Sequence, residues 1–406
     1  MRSLIWVNQF ALLPRDGGGT RHFELGRELV RRGWKVCIFA SDLHLHARRY
    51  TRRAGEFDRA THREIQDGVE IRWLWASCYE RNDWRRAWNW LTFYRSVVRE
   101  ARELQTAPDI VIGSSPQIFA AVAGRSLARR ARVPFVFEVR DLWPESLVAA
   151  GGRRGVSYTL IDSVARGLYR DADRVLVLAR GTQDYLEQHG VPAQKMLYVP
   201  NGVDVDAIQP ADSEESASGR PLTFVYAGAH GPANGLDRVL DAAEILGPSA
   251  NVRFLLIGDG PVKAGLRASA SRRGLQHVEF HDPVSKSQLA ALLARADAGL
   301  MVLREAPLFS FGVSPNKLFD YLAAGLPVVC NVPGEVAQML SQAHAGVQAA
   351  DASAMALAEA VSALAGLDAR ERRERGRSGR DWVERTHSRQ ILASSLENGL
   401  ANLITP

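Results

Sequence analysis

Cysteine is scarce in this sequence. Among 406 residues there are only three, Cys37, Cys78 and Cys330, and no two of them share the short spacing of a redox or metal-binding motif. An odd number without a motif indicates free thiols in a reducing cytosol rather than a disulfide framework. The ten histidines likewise form no His-Glu-x-x-His or Cys/His pattern.

Metal-binding patterns are weak throughout the chain. Two Asp-x-Asp pairs, at 171–173 and 204–206, have the spacing of a metal-binding pair. The first pair immediately precedes a predicted strand, however, which is the wrong end of a parallel sheet for a site. We therefore predict no metal ion and no cofactor.

Long apolar runs are also absent. No window reaches the ~18 apolar residues of a membrane-spanning helix. The apolar stretch at 1–14 is interrupted by Asn8 and Gln9, which makes it too short and too polar for a signal peptide. With 46% hydrophobic and 24% charged residues, the composition is that of a globular protein, and the length predicts two domains.

Positive charge is concentrated in the first half. Residues 1–205 carry 32 Lys and Arg against 23 Asp and Glu, a net charge of +9. Residues 206–406 carry 19 against 22, a net charge of −3. This asymmetry favours an anionic partner for the first half, either a membrane surface, a nucleic acid or an acidic substrate. The alternative is that the arginines only cover a solvated surface.

Short apolar runs alternate with amphipathic helical patterns along the chain. In the first half the predicted strands are 3–8, 35–40, 69–75, 109–113, 134–139, 174–178 and 196–199. After a Ser-, acid- and Pro-rich linker, the alternation restarts with strands at 222–228, 252–260, 277–282, 298–303 and 327–332. This alternation predicts an α/β protein with two doubly wound, Rossmann-like parallel-sheet domains.

The linker, at 207–221, sets the domain boundaries that we predict. They are an N-terminal domain at 1–205, a C-terminal domain at 206–380 and a C-terminal helical segment at 381–406. The last segment is amphipathic, and we expect it to pack back on the N-terminal domain.

One segment, 80–105, interleaves aromatic residues with arginines. Such a helix is typical of contact with an anionic membrane surface. Single-stranded nucleic acid and ordinary docking on the sheet are the alternatives. We favour the membrane and predict no nucleic-acid partner, because no recognised nucleic-acid-binding module is present.

Two strand ends in the first half carry candidate site residues. The loop after the first strand contains Gly17, Gly18 and Gly19, then Thr20 and Arg21, and its glycines would let the backbone approach a ligand closely. A flexible turn without a ligand is the alternative. The strand at 134–139 ends among Glu138, Arg140 and Asp141, which form either a site or a local ion-pair network.

The segment 314–325 is predicted as a helix, with Ser314 as N-cap, Pro315 at the first position and Gly325 after its end. Lys317 lies in the first turn, where a cation opposes the helix dipole. A bound diphosphate would compensate for that cost, so we predict an anion site here. The alternative is a solvated lysine paired with Asp320.

At these residues the chain resembles family 4 of the retaining glycosyltransferases, over nearly its whole length. The motifs that carry the resemblance are Gly17-Gly18-Gly19, VPNGVD (199–204), FVYAGAHGPANGLD (224–237), LLIGDGP (255–261), residues 278–303 and SPNKLFDYLAAGLPVV (314–329). RDLWPE (140–145) and SPNKLFDY (314–321) together are most similar to the branch containing N-acetyl-fucosamine transferases of bacterial O-antigen assembly.

The resemblance implies a GT-B fold, in which two facing Rossmann-like domains border a cleft. It implies that Asp320 holds the ribose of a UDP-sugar and that residues 312–317 hold the diphosphate. The implied donor-binding set is Gly228, Asn234, Gly258, Gly312, Val313, Ser314, Pro315, Asn316, Lys317 and Asp320. The N-terminal domain, with residues 17–21, would face the acceptor and the sugar, and the implied catalytic residues are Lys317, Glu138, Arg140 and Asp141.

The sequence departs from the family at several of these positions. Gly312 and Asp320 stand where the family has two glutamates, and Glu305 is a candidate replacement for the missing one. Ala229 and Asn234 stand where the family has an arginine and a lysine, and Arg140 replaces a histidine. Lys317 and its helix terminus would therefore bear more of the diphosphate charge.

The leading interpretation is a retaining glycosyltransferase, peripheral on the inner face of the cytoplasmic membrane. It would transfer an N-acetylated amino or deoxyamino sugar from a UDP-linked donor to a lipid-linked or saccharide acceptor in surface polysaccharide synthesis. A nucleotide-sugar epimerase of the same fold and a non-catalytic nucleotide-sugar-binding subunit are the alternatives.

Overall fold

A computed structural model of the chain describes residues 1–16, 19–43, 49–79, 83–149, 154–210, 219–305 and 312–404. Contacts divide the chain into two compact units. The first comprises Met1–Leu13, Gly19–Pro200 and Leu392–Pro406, and the second comprises Pro14–Gly18 and Asn201–Ile391.

The first unit is built on an eight-stranded sheet with the order β3-β4-β2-β1-β5-β6-β7-β8. Its strands are β1 (Ser3–Val7), β2 (Lys35–Ser41), β3 (His62–Gln66), β4 (Val69–Leu74), β5 (Ile110–Ser114), β6 (Phe135–Val139), β7 (Arg174–Val177) and β8 (Met196–Tyr198). All pairings are parallel except that of the edge strand β3 with β4. The sequence did not predict β3, because its residues are largely polar and only partly buried, as an edge strand allows.

The second unit contains a six-stranded, fully parallel sheet with the order β11-β10-β9-β12-β13-β14. Its strands are β9 (Leu222–Ala227), β10 (Val252–Ile257), β11 (Val278–His281), β12 (Ala298–Met301), β13 (Val328–Cys330) and β14 (Gly346–Gln348). This is the strand order of the dinucleotide-binding Rossmann fold. The predicted α/β class with two Rossmann-like sheets is confirmed; only the three-residue strand β14 was not predicted.

Helices connect the strands. In the described residues they are α1 (Arg21–Arg31), α2 (Trp84–Glu100), α3 (Ile118–Ala131), α4 (Glu145–Ala149), α5 (Val156–Asp171), α6 (Arg180–Gln188), α7 (Leu236–Leu246), α8 (Lys263–Arg272), α9 (Lys286–Leu293), α10 (Asn316–Ala323), α11 (Glu335–Gln342), α12 (Ala354–Ala365), α13 (Ala369–Thr386) and α14 (Arg389–Ala401). None of these described helices is long and apolar enough to cross a bilayer.

The C-terminal segment divides its packing between the two units. Helix α13 packs on α10, and a Cβ atom on Gly376 of α13 would lie 1.9 Å from the carbonyl oxygen of Gly325. Helix α14 instead contributes Leu392, Leu396 and Leu400 to the hydrophobic core around β1 and β2. In the predicted linker, residues 211–218 lie outside the described residues.

Candidate functional site

The strand order of the second sheet marks one place for a ligand. The order reverses between β9 and β12, and open α/β sheets bind ligands beyond the carboxyl ends of their strands at such a point. Gly228 directly follows β9, and Gly258 directly follows β10. Two of the three predicted donor-binding glycines therefore lie at the carboxyl edge of this sheet.

These two glycines are required by close packing of the backbone. A Cβ atom on Gly258 would lie 1.9 Å from the carbonyl oxygen of Gly228, a distance that no side chain tolerates. A Cβ atom on Gly228 would lie 3.3 Å from Cε of Lys317 and 3.3 Å from the hydroxyl of Tyr226. Both glycines also have positive φ angles, 156° and 143°. The backbones that follow β9 and β10 therefore lie close together, and Lys317 lies next to Gly228.

Lys317 is held by specific neighbours at this edge. Its ammonium donates to the hydroxyl of Tyr226 at 2.9 Å and to the side-chain carbonyl of Asn234 at 3.2 Å. The ammonium also lies 4.1 Å from the centre of the Tyr226 ring, within cation–π range. Burial lowers the pKa of Lys317 from 10.5 to about 7. The alternative of a solvated lysine paired with Asp320 does not fit this geometry.

Asp320 has a different cation as its partner. Lys286 of α9 donates to Oδ1 of Asp320 at 2.7 Å, and the carboxylate is largely buried. One turn of α10 separates Asp320 from Lys317. The two predicted donor-binding side chains thus lie on the same short helix, close to its N-terminus.

The helix α10 begins one residue later than the sequence predicted. It starts at Asn316 with Pro315 at the N-cap position, so the predicted N-cap Ser314 lies one residue before the cap. The reason is that Ser314 is engaged elsewhere: its hydroxyl and its carbonyl accept hydrogen bonds from Asn201. Gly325 follows the helix with φ 68°, as predicted. The first N–H groups of a helix have no acceptor within it, so this terminus can bind an anion.

At the C-terminal end of α10, a cationic side chain donates hydrogen bonds to the backbone. The guanidinium group of Arg380 donates to the carbonyl oxygens of Ala323 and Ile208. A positive charge at the C-terminus of a helix interacts favourably with its dipole. The remaining predicted residues of the preceding loop, Gly312 and Val313, are partly buried, and Gly312 has φ 83°.

A histidine missed by the sequence lies beside these groups. His230 is fully buried after β9, with its ring centre 6.0 Å from that of Tyr226. Burial, followed by the charge of Lys263, lowers its pKa to about 4, so it is neutral at physiological pH. Lys317 therefore supplies positive charge at this end of the sheet without a second cation from the histidine.

In the first unit, Glu138 belongs to a buried ion-pair network. The Arg21 guanidinium donates to Glu138 Oε1 at 2.9 Å, and the His22 ring lies 2.8 Å from Oε2. Arg21 also donates to the carbonyl oxygens of Val199 and Pro200. Burial raises the pKa of Glu138, but His22 and Arg21 outweigh it and lower the pKa overall. Of the two interpretations of these charges, the geometry favours the network for Glu138.

This network also changes the interpretation of Thr20 and Arg21. Both were predicted to face the acceptor, yet both side chains are buried, and that of Thr20 donates to Glu24. Their partners lie within the protein because α1 starts directly against the sheet. Gly19 is exposed with open space at its Cα, whereas Gly17 and Gly18 lie outside the described residues.

Arg140 and Asp141 lie at the carboxyl end of β6. Their backbone N–H groups donate to the Ser115 hydroxyl at 2.8 and 3.2 Å. The Nε atom of Arg140 is buried without a hydrogen-bond partner among the described residues, and Asp141 is exposed. Unlike Glu138, these two side chains form no ion pair among the described residues.

The aromatic and basic segment forms α2, which begins at Trp84 after the N-cap Asp83. Its inner face packs Phe93 and Val97 into the first unit, as an ordinary docked helix does, while Trp84 and Trp88 are exposed. Residues 80–82 lie outside the described residues. Among the residues that the structure describes, no group of three or more His, Cys, Asp and Glu side chains could hold a metal ion.

The sequence missed the residues that hold the site in place. Tyr226, Asn201 and Lys286 contact predicted residues from 34 or more positions away in the sequence, and Arg380 contacts the end of α10 from 57 positions away. A signal existed for three of them, because Asn201, Tyr226 and Lys286 lie in motifs that carry the resemblance, whereas Arg380 lies in none.

Two family models match this chain. The Glycosyl transferase 4-like domain matches residues 16–202, and the Glycosyl transferases group 1 model matches residues 221–366. The second match contains the whole six-stranded sheet, and the first contains every strand of the eight-stranded sheet except β1. Together they leave only the chain ends and the segment 203–220 unmatched.

Individual proteins with similar sequence or structure carry related names. "Putative colanic acid biosynthesis glycosyl transferase WcaI" of Escherichia coli (strain K12) is 28% identical over 54% of this chain. The match spans 56% of WcaI, little more than half of that relative. Sucrose-phosphate synthase from Thermosynechococcus elongatus has a TM-score of 0.76 at 17% identity and covers 99% of both chains. HepE from Anabaena, solved in complex with UDP and glucose, has a TM-score of 0.71 at 16% identity and covers 99% of this chain and 100% of its own.

The two structural neighbours share the fold over their full length. The chain therefore has the GT-B fold, with a Glycosyl transferase 4-like domain at 16–202 and a Glycosyl transferases group 1 domain at 221–366.

Proposed function

We propose that this protein transfers a sugar, with retention at the anomeric carbon, from a UDP-linked donor to a lipid-linked or saccharide acceptor. The sugar is an N-acetylated amino or deoxyamino sugar, as in the N-acetyl-fucosamine transferase branch, and the product belongs to a bacterial surface polysaccharide such as an O-antigen. The enzyme works on the inner face of the cytoplasmic membrane, against its anionic surface.

The placement of Lys317 carries this proposal. Its ammonium lies at the N-terminus of α10 and beside the glycine turn after β9, where helix N–H groups and a cation converge. Dianionic phosphate binds best where such donors are already in place. The Tyr226 hydroxyl and Asn234 orient the ammonium and leave it one further donor for a diphosphate oxygen.

Different neighbouring groups bind the ribose and the diphosphate of the donor. Asp320, oriented by Lys286, accepts the ribose hydroxyls, while residues 312–317 bind the diphosphate. Gly228 and Gly258 give the diphosphate room at the strand ends. Names of similar proteins support the donor class: HepE was solved with UDP and with UDP-glucose, and the WcaI name refers to colanic acid biosynthesis.

The chemistry follows from charge development on the leaving group. The bond between the anomeric carbon and the phosphate oxygen breaks while the acceptor oxygen attacks on the same face, and the acceptor proton passes to the leaving phosphate. Negative charge grows on that phosphate, so the Lys317 ammonium interacts more strongly in the transition state than in the ground state. Glu138 acts as a positioning residue that fixes Arg21, while Arg140 and Asp141 face the reacting groups.

The first test is transfer itself. The protein is incubated with UDP-sugars and a membrane lipid extract, and products are followed by mass spectrometry. We expect a glycosylated lipid or saccharide with the anomeric configuration of the donor, and the same turnover in EDTA. Interconversion of the UDP-sugar without an acceptor would identify an epimerase, and binding without turnover a non-catalytic subunit.

The second test is Lys317→Ala. Loss of one preorganised donor to developing charge typically lowers turnover by about 10²–10³-fold. We expect that loss with an unchanged fold, whereas the exposed lysine Lys35 serves as a control whose substitution by Ala leaves turnover intact. Near-normal turnover of Lys317→Ala at an unchanged melting temperature would contradict the proposed site.

A further inference from the structure

A cavity of about 540 Å³ lies in the first unit, outside the site described above. Three segments line it: 56–59, 75–78 and the outer face of α2 from Trp84 to Arg99. Its volume is that of a small-molecule pocket. Nothing in the proposed sugar transfer uses it.

The cavity exposes aromatic side chains at one part of its rim. Phe57 is 96% exposed, and Trp84 and Trp88, one turn apart on α2, are 70% and 43% exposed. Soluble domains seldom expose large side chains of this kind together, and such groups mark an interaction surface. The aromatic part of the cavity corresponds to the N-terminal half of α2.

The opposite part is cationic. Arg95 and Arg99, also one turn apart, follow the tryptophans along the same face of α2, and the backbone carbonyl of Arg59 accepts a hydrogen bond from Arg99. No ion pair with a described carboxylate is formed by Arg59, Arg95 or Arg99. Among the described residues of the lining, Glu56 is the one acidic residue. Trp84, Trp88 and Arg85 thus line the cavity toward the N-terminal end of α2, and Arg95 and Arg99 line it toward the C-terminal end, where they have no described carboxylate partner.

We propose that this cavity binds an anionic phospholipid. Its chains would lie against Trp84, Trp88 and Phe57, and its phosphate would lie between Arg95, Arg99 and Arg59. Arginine pairs geometrically with phosphate, and tryptophan suits the boundary between headgroups and chains. The charge and the apolar surface are arranged in the order that such an amphiphile requires.

The geometry favours a lipid over single-stranded nucleic acid. Bases bind such proteins by stacking on free aromatic faces. Here guanidinium groups already lie over those faces: Arg95 at 5.4 Å from the Trp88 ring, Arg85 at 5.6 Å from Trp84 and Arg59 at 4.5 Å from Trp75. The acyl chains of a lipid, by contrast, need to contact only the edges of these rings.

Calorimetric titration of the full chain with short-chain lipids, below their micelle concentration, tests the proposal. The probes are dihexanoylphosphatidylglycerol, its zwitterionic phosphatidylcholine counterpart, and glycerophosphoglycerol, a phosphodiester that has the headgroup charge without chains. We expect the first to bind at least tenfold more tightly than either of the others, and added salt to weaken it. Equal binding of all three would overturn the proposal.

Two double variants connect the binding to the cavity. We expect each of two double variants, Trp84→Ala/Trp88→Ala and Arg95→Gln/Arg99→Gln, to weaken phosphatidylglycerol binding by about tenfold or more. For the arginine pair, the reason is that each basic residue near an anionic headgroup contributes about a factor of five. Matched controls are Val156→Ala/Leu160→Ala, an exposed apolar pair one turn apart on α5, and Arg373→Gln/Arg377→Gln, which changes the net charge equally on α13. Equal loss in variants and controls would contradict the assignment.

Two further probes test whether a different class of molecule binds in the cavity. Tighter binding of farnesyl phosphate than of phosphatidylglycerol would replace the phospholipid by a lipid-linked acceptor. Tighter binding of a dT oligonucleotide, lost in the same variants, would replace it by nucleic acid. Titration of UDP-glucose into the same variants should give unchanged affinity, so the outcome is independent of the proposed sugar transfer.

Discussion

Asn201 and Ser314 are joined by two hydrogen bonds. The Asn201 backbone N–H donates to the Ser314 hydroxyl at 2.8 Å, and the Asn201 side-chain amide donates to the Ser314 carbonyl at 2.6 Å. Ser314 lies two residues before α10, so this pair fixes the approach of the chain to the helix terminus that carries Lys317. In the proposed donor site, the VPNGVD motif therefore acts by positioning this loop.

Asn201→Ala should weaken donor binding through this loop. It removes one hydrogen bond and leaves a partly buried carbonyl without its donor, which costs about 1 kcal/mol, or roughly a fivefold higher Kd. The measurement is titration of UDP-glucose at constant pH. The exposed Asn398 on α14 provides the control, since its substitution by Ala should leave the Kd unchanged. An unchanged Kd in Asn201→Ala would show that the loop does not depend on this pair.

Donor affinity should decrease as the pH rises above 7. Burial lowers the pKa of Lys317 to about 7 in the unliganded protein, and a bound diphosphate would raise it by favouring the ammonium form. Affinity is therefore complete below pH 7 and falls by up to about tenfold per pH unit above it, until the raised pKa is reached. His230, with a pKa of about 4, remains neutral throughout this range.

The measurement is calorimetric titration of UDP-glucose between pH 6 and 9. UDP-glucose is preferred to UDP, because a terminal phosphate has its own ionisation near pH ~6. In Lys317→Ala the affinity should be lower and independent of pH between 7 and 9. The same slope in wild type and variant would assign the titration to another group.

Lys317 should destabilise the unliganded fold at neutral pH. Its pKa is about 7 in the folded protein against an ordinary value of 10.5, so the unfolded chain binds more protons between those two values. The free energy of unfolding contributed by this group therefore rises with pH across that window. Lys317→Met should increase stability at pH 7 and lose most of this advantage at pH 10.

Urea denaturation at both pH values measures the difference. Lys35→Met, at an exposed position of β2, is the control and should show no such dependence on pH. A lower stability of Lys317→Met than of wild type at pH 7 would mean that the contacts with Tyr226 and Asn234 outweigh the cost of burial.

Gly258 should tolerate no side chain. In Gly258→Ala the new Cβ would overlap the Gly228 carbonyl oxygen, at a φ angle of 143° that alanine rarely adopts. Because this overlap would force the two strand ends apart, the free energy of unfolding should decrease by about 4 kcal/mol or more. Gly265 is the matched control, because it lies within α8 with open space at its Cα.

Gly265→Ala should instead stabilise the protein by about 0.5–1 kcal/mol, as alanine does in a helix interior. Both variants are compared by urea denaturation. If Gly258→Ala were as stable as wild type, the contact between the strand ends would not be tight, and the proposed room for a diphosphate would have a different origin.

Local patterns in the sequence determined most of the framework. Alternating apolar runs gave twelve of the strands, and Pro315 and Gly325 framed α10 to within two residues, because capping and hydrophobic periodicity act over short distances in the chain. The polar edge strand β3 and the three-residue β14 have too weak a pattern to be recognised. The placement of Lys317 at a helix N-terminus was likewise readable from the sequence.

Only the tertiary structure decided which groups these residues meet. Lys317 contacts Tyr226 across 91 positions, and Glu138 contacts Arg21 across 117, and no local rule brings such pairs together. Parallel pairing of β9 with β12 brings Tyr226 to the base of α10, whereas pairing of β5 with β6 buries Glu138 beneath α1. Burial then lowers the pKa of Lys317, whereas burial at Glu138 is outweighed by His22 and Arg21, which lower its pKa, so the environment built by distant residues sets the charge of each group.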